Sequence, residues 1–63
     1  MYTATVEQKR SHRYREEAAR LRRYAEGVID QMAGQQLANI ASQYDRLADT
    51  VDLIAERLNE AAG

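Results

Sequence analysis

Few side chains in this sequence have the type and spacing that chemistry needs. His12 is the only histidine, and Glu16 stands four residues after it. On a helix that spacing puts both on one face, so the pair supplies half of a metal shell. No second histidine and no Glu-x-x-His pair completes a site of the di-iron bundle type. Only two copies meeting across a symmetry axis would bring enough ligands together. The expectation is therefore a solvated His12, with no metal and no cofactor. Glu16 and Glu17 are adjacent carboxylates, but neighbours on a helix point about 100° apart and do not face each other. Ser11 and Ser42 have no positioned base, and no glycine-rich loop is present to cradle a phosphate. The chain is read as not an enzyme.

The arginines offer more. Arg10, Arg13, Arg15, Arg20, Arg22 and Arg23 crowd the first half of the chain. Guanidinium forks suit phosphate, so Arg13, Arg20 and Arg23 are the candidate anion-binding set. The same stretch holds Glu7, Glu16, Glu17 and Glu26, and no recognition-helix, zinc-finger or basic-zipper pattern accompanies it. Binding of nucleic acid is kept as the alternative function. The first 26 residues carry a net +3 and the stretch from Asp30 onward a net −4. A basic segment followed by an acidic one suits two helices laid antiparallel, where charge sets orientation more than stability.

Composition narrows the class further. The 63 residues hold no Cys, Trp, Phe or Pro, so disulfides, thiolate metal sites and cysteine nucleophiles are excluded. The formal charge of −1 argues against a polyelectrolyte that coats nucleic acid. No apolar run approaches the ~18–20 residues that cross a bilayer, and no leader pattern is seen, so the expectation is a cytoplasmic protein with no membrane contact. A chain this short buries only about 60% of the surface it exposes when unfolded. Without disulfide or metal, association is the remaining common source of stability.

The elements follow from periodicity. Ala, Arg, Glu, Gln and Leu dominate from Glu7 to Ala62, and nothing alternates at period two, so the chain reads as all-α. Residues 1–5 lack periodicity, with Thr5 as a candidate N-cap. Gly27-Val28-Ile29-Asp30 is the preferred turn: Gly27 suits a left-handed C-terminal position, and Asp30 suits the N-cap of a second helix. A turn at Gly34, or one continuous helix of about 55 residues and roughly 80 Å, are the alternatives. The expected helices run about 6–26 and 31–61, with a turn at 27–30, in a single hairpin domain over 1–63.

The second helix carries a sustained heptad: Ala33, Leu37, Ile40, Tyr44, Leu47, Val51, Ile54, Leu58 and Ala61. Beside it, Ala41, Ala48, Ala55 and Ala62 recur every seventh residue and widen the face to three positions in seven, as bundles require. The first helix repeats the register with Tyr14, Ala18, Leu21, Ala25 and Val28, while Ser11 and Glu7 weaken its start and Tyr24 lies at the edge. A hairpin centred on residue 29 pairs Tyr14 with Tyr44, Ala18 with Ile40, Leu21 with Leu37 and Ala25 with Ala33. Ile54 and Leu58 then overhang the start of helix 1 and mark a surface for association. Leu53 lies off the stripe, either as an isolated exposed leucine or as a second contact surface.

These residues also carry a family resemblance. Tyr14-Arg15-x-x-Ala18, Leu21-Arg22-x-x-Ala25-Glu26, Asp30, Leu37, Ile40-Ala41 and Tyr44-Asp45-Arg46-Leu47-Ala48-Asp49 resemble short, mostly uncharacterised alphaproteobacterial two-helix hairpin proteins. The resemblance spans about residues 12–52 and implies a hairpin, with no activity attached. Such relatives often have Pro after the turn Asp, where this chain has Gln31. The combined expectation is an antiparallel hairpin that dimerises into a four-helix bundle and acts as a non-enzymatic self-association or adaptor module. Its partners would be itself, as a homodimer or higher, and a larger protein. Its oligomer and core residues are Tyr14, Leu21, Leu37, Ile40, Tyr44, Leu47, Val51, Ile54 and Leu58.

Overall fold

The structure, a computed structural model, describes residues 6–62, with side chains described for 9–61. Thr5, the expected N-cap, lies outside the described residues. Two helices make up the fold, α1 (Val6–Gly27) and α2 (Gln31–Ala62), and they pack against each other as a hairpin. No strand occurs among the described residues. At 1.5 Å per residue the helices are roughly 33 and 48 Å long, and the Cα trace extends 50 × 20 × 10 Å.

Backbone accounting explains the turn. The Val28 N–H donates to the Ala25 carbonyl at 3.3 Å, an i→i−3 bond that tightens the last turn of α1. Gly27 is helical, and no described glycine has positive φ. The left-handed role expected of Gly27 is thus not used, because the tightened turn already satisfies the Ala25 carbonyl. Asp30 does cap α2. Its Oδ1 accepts from the Met32 N–H at 2.9 Å and the Ala33 N–H at 3.2 Å. Its carbonyl accepts the first bond of the helix, from the Gly34 N–H at 3.0 Å. Two of the four N-terminal donors that a helix leaves unpaired are met this way. No proline is needed at Gln31.

The packing departs from the expected seam. Among the described residues the buried ones are Ala18, Ala41, Ala48 and Ala55, with Ser11 beside them, and no large side chain is fully buried. Leu37, Tyr44 and Val51 are half-buried, as are Tyr14, Leu21, Ala25 and Val28. On α2 the seam therefore runs Leu37, Ala41, Tyr44, Ala48, Val51, Ala55. The alanines expected on the flank form its centre, and Ile40, Leu47 and Ile54, expected within it, lie exposed on the edge. Small side chains let two helix backbones approach closely, so the alanine rows face inward and the bulky row is turned aside.

The expected pairing shifts accordingly. Tyr14 and Tyr44 do meet, with ring centroids 6.0 Å apart and planes at 35°. Ala18 does not bury Ile40, which is 41% exposed. Ala33 is exposed too, and Gly34 takes its place beside α1: a Cβ built there would lie 3.6 Å from the Ala25 carbonyl oxygen. Tyr24, expected to pack at the edge, is exposed.

That 3.6 Å is ordinary van der Waals contact on a helical backbone, so alanine fits at Gly34. Gly34→Ala is expected to stabilise the hairpin by about 0.5–1 kcal/mol. Asp30→Ala is expected to destabilise it by about 1 kcal/mol through the lost cap. Thermal unfolding followed by circular dichroism reads both; equal melting of Asp30→Ala and the parent chain would contradict the cap.

Candidate functional site

The two edges of the seam differ in chemistry. On one edge, Arg15 Nη2 lies 3.1 Å from Asp49 Oδ1 and 2.6 Å from Asp52 Oδ2. One helical repeat nearer the turn, Arg22 Nη2 lies 2.5 Å from Asp45 Oδ2. Higher numbers on α1 meet lower numbers on α2, so the helices run antiparallel, with the basic helix along the acidic one. The Ser11 hydroxyl donates to the Asp52 carboxylate. That bond comes first in holding the Asp52 carboxyl below its ordinary range, followed by the hydrogen bond from Arg15, against an opposing effect of partial desolvation. Arg15 is in turn raised, chiefly by its hydrogen bond to Asp52. This clasp clips the rotation of α2 about its axis.

The other edge of α2 is mainly apolar. Ile40, Leu47 and Ile54 recur every seventh residue and are 41%, 46% and 48% exposed, with Leu58 beyond them. Gln36, Gln43 and Thr50 flank the row, and Arg46 stands at its outer margin. Two open depressions lie side by side on it. One, of about 310 Å³, is bounded by Gln43, Arg46, Leu47 and Thr50. The other, of about 210 Å³, is bounded by Ile40, Gln43, Tyr44 and Leu47. Each set follows the i, i+3, i+4, i+7 diamond that receives a side chain from a facing helix. The Thr50 hydroxyl donates to the Arg46 carbonyl at 3.0 Å, so its donor is satisfied within the helix.

The residues considered for chemistry are placed as follows. His12 Nε2 lies 2.7 Å from Glu16 Oε1, both exposed. No group of His, Cys, Asp and Glu among the described residues is arranged to hold a metal. Glu17 turns instead to Arg20, at 3.4 Å, so the adjacent glutamates serve different partners. Arg13, Arg20 and Arg23 are all exposed on α1. Leu53 is exposed, away from the seam. The role of Ser11 was hidden in the sequence, where it reads as a weak point in an apolar stripe. Its seven-residue spacing to Ala18 and Ala25 was the signal that it belongs to the small-residue row.

No family model matches the chain, and neither does any curated protein or solved structure with which it was compared. No helix among the described residues is long and apolar enough to cross a membrane.

The clasp gives a pH dependence whose sign follows from linkage. A carboxyl depressed in the folded state contributes stability above its unfolded pKa, and that stability is lost as pH falls through the folded value. Asp52 is depressed, so melting temperature is expected to drop below the ordinary carboxylate range near pH 4. Asp52→Asn should melt below the parent chain at pH 7, with the gap closing by pH 2. A gap of constant size across that range would show that the ionised clasp adds nothing to folding.

Proposed function

We propose that this chain is a non-enzymatic self-association module, acting through protein–protein contacts made by the apolar edge of α2. One observation carries the proposal: the row Ile40, Leu47, Ile54 and Leu58 stands exposed and free of charge in a chain that is 30% charged. Contiguous apolar surface of this kind marks association sites on small proteins. Among the described residues no large side chain is fully buried, so a partner would supply a second layer to the core. Two hairpins stacked on these edges would make a four-helix bundle, the architecture expected from the three-in-seven pattern. An adaptor role, with a larger protein in place of the second copy, would use the same edge. The resemblance to two-helix hairpin proteins fits this reading and adds no activity to it.

Phosphate binding by Arg13, Arg20 and Arg23 has weaker support. Glu17 already engages Arg20, and the acidic residues of α2 engage Arg15 and Arg22.

Light scattering coupled to size exclusion is expected to give twice the chain mass at micromolar concentration. Leu47→Asp places a charge in the middle of the edge and is expected to return the mass to that of one chain. A fully helical parent chain with single-chain mass would overturn the proposal, as would a Leu47→Asp variant with unchanged mass.

A further inference from the structure

Two rows of α2 can each complete a seam with α1, and the sequence repeats both at the same period. Ala41, Ala48 and Ala55 lie on one side of the row Leu37, Tyr44 and Val51, with Ile40, Leu47 and Ile54 on the other. The seam uses the alanine row and the Tyr44 row, and it leaves Ile40, Leu47 and Ile54 exposed. Gly34 lies beside the Ala25 carbonyl. Carried along two antiparallel helices, that contact sets Ala18 against Ala41 and Ser11 against Ala48, all four buried.

A turn of α2 about its own axis by about 50° exchanges the two flanking rows. The Tyr44 row stays in the contact, Ile40 comes against Ala18 and Leu47 against Ser11, and the alanines pass to the margin. Large side chains then meet small ones, as a packed helix pair requires. The contact of Tyr14 with Tyr44, ring centroids 6.0 Å apart, belongs to the row common to both seams and acts as the pivot. The connection of Val28, Ile29 and Asp30 holds no positive φ, and Ile29 at its apex is fully exposed. Turning α2 therefore displaces no packed apex side chain.

Charge on one edge separates the two packings. Arg15 holds Asp49 at 3.1 Å and Asp52 at 2.6 Å, Arg22 holds Asp45, and the Ser11 hydroxyl donates to Asp52. These groups line up with the alanine row inward. On a helix about 10–12 Å across, the turn carries each aspartate about 5 Å around the circumference, out of ion-pair distance from its arginine. The clasp is also weak enough to release. Exposed pairs of this kind are screened by salt and lose little when broken.

We infer that α2 is a two-position element: the clasp locks it with the alanine row inward and Ile40, Leu47 and Ile54 presented, and release of the clasp turns that row onto α1. Conformational control of this kind uses two discrete packings of one sequence. The device regulates the edge assigned above to self-association, and on that reading its release withdraws the edge. The two packings themselves do not depend on it.

The test follows disulfide closure within the full chain, which has no native cysteine. Ala18→Cys with Ala41→Cys reports the first packing, and Ala18→Cys with Ile40→Cys the second. Neighbouring positions on α2 aim their sulfurs about 100° apart, so the pairs discriminate. Each pair is made in the parent and in a clasp-free chain carrying Ser11→Ala, Arg15→Gln and Arg22→Gln, with helicity checked by circular dichroism. The parent is expected to close the Ala18/Ala41 pair faster than the Ala18/Ile40 pair. The clasp-free chain is expected to reverse that order, with both products at the mass of one chain. An unchanged order would overturn the inference. Ala48→Leu gives a second reading without cysteine: overfilling the small row is expected to lower melting in the parent and to lose most of that effect in the clasp-free chain. Equal losses in the two chains would overturn the inference as well. Light scattering separates this switch from the association it regulates. A parent of single-chain mass removes self-association and leaves the disulfide order to decide the switch, whereas a dimeric parent whose clasp-free form keeps its mass overturns the regulation.

Discussion

The close approach of two small-residue rows governs this fold. Ser11 and Ala18 on α1, with Ala41, Ala48 and Ala55 on α2, are the buried positions, and they recur at helical repeats. A methyl side chain contributes little burial, on the order of 0.8 kcal/mol, but it sets no barrier between backbones. Wherever two helices can come this close, their bulky residues are forced to the margins of the contact. The hairpin gains a well-defined seam and gives up a large apolar core. The exposure of Ile40, Leu47 and Ile54 is a consequence of that exchange.

Charge decides the remaining freedom. Two helices with small-residue rows can still slide and rotate, and the paired tyrosines, with centroids 6.0 Å apart, restrain only one layer. Arg15 and Arg22 reach Asp45, Asp49 and Asp52 on a single edge. Exposed pairs of this kind are worth about 0–1 kcal/mol each, so their effect is orientation. The aspartates of α2 lie toward that edge, and the opposite edge carries Ile40, Leu47 and Ile54 with Arg46 at its margin. The clasp and the apolar strip lie on opposite edges of the same helix.

The residues that first attract chemical attention are paired with one another on the surface of α1. His12 and Glu16 satisfy each other on an exposed face, and Glu17 turns to Arg20.

The sequence by itself determined the helices, the Asp30 cap, the absence of strands and the pairing of a basic helix with an acidic one. These follow from local propensity, capping chemistry and net charge, each legible in a window of a few residues. It also displayed both candidate rows on α2, the bulky one at Ile40, Leu47 and Ile54 and the small one at Ala41, Ala48 and Ala55. Which row faces α1 was decided only in the tertiary structure. Neighbouring rows share the same seven-residue period and stand one residue apart, about 100° around the helix, on either side of the Tyr44 row, so periodicity cannot rank them. The ranking comes from across the seam, where Ser11 and Ala18 admit a close neighbour and Arg15 and Arg22 draw the aspartates to one side. The role of Ser11 stayed hidden for the same reason: a hydroxyl is a defect in an apolar stripe until the opposing helix brings Asp52 within its reach.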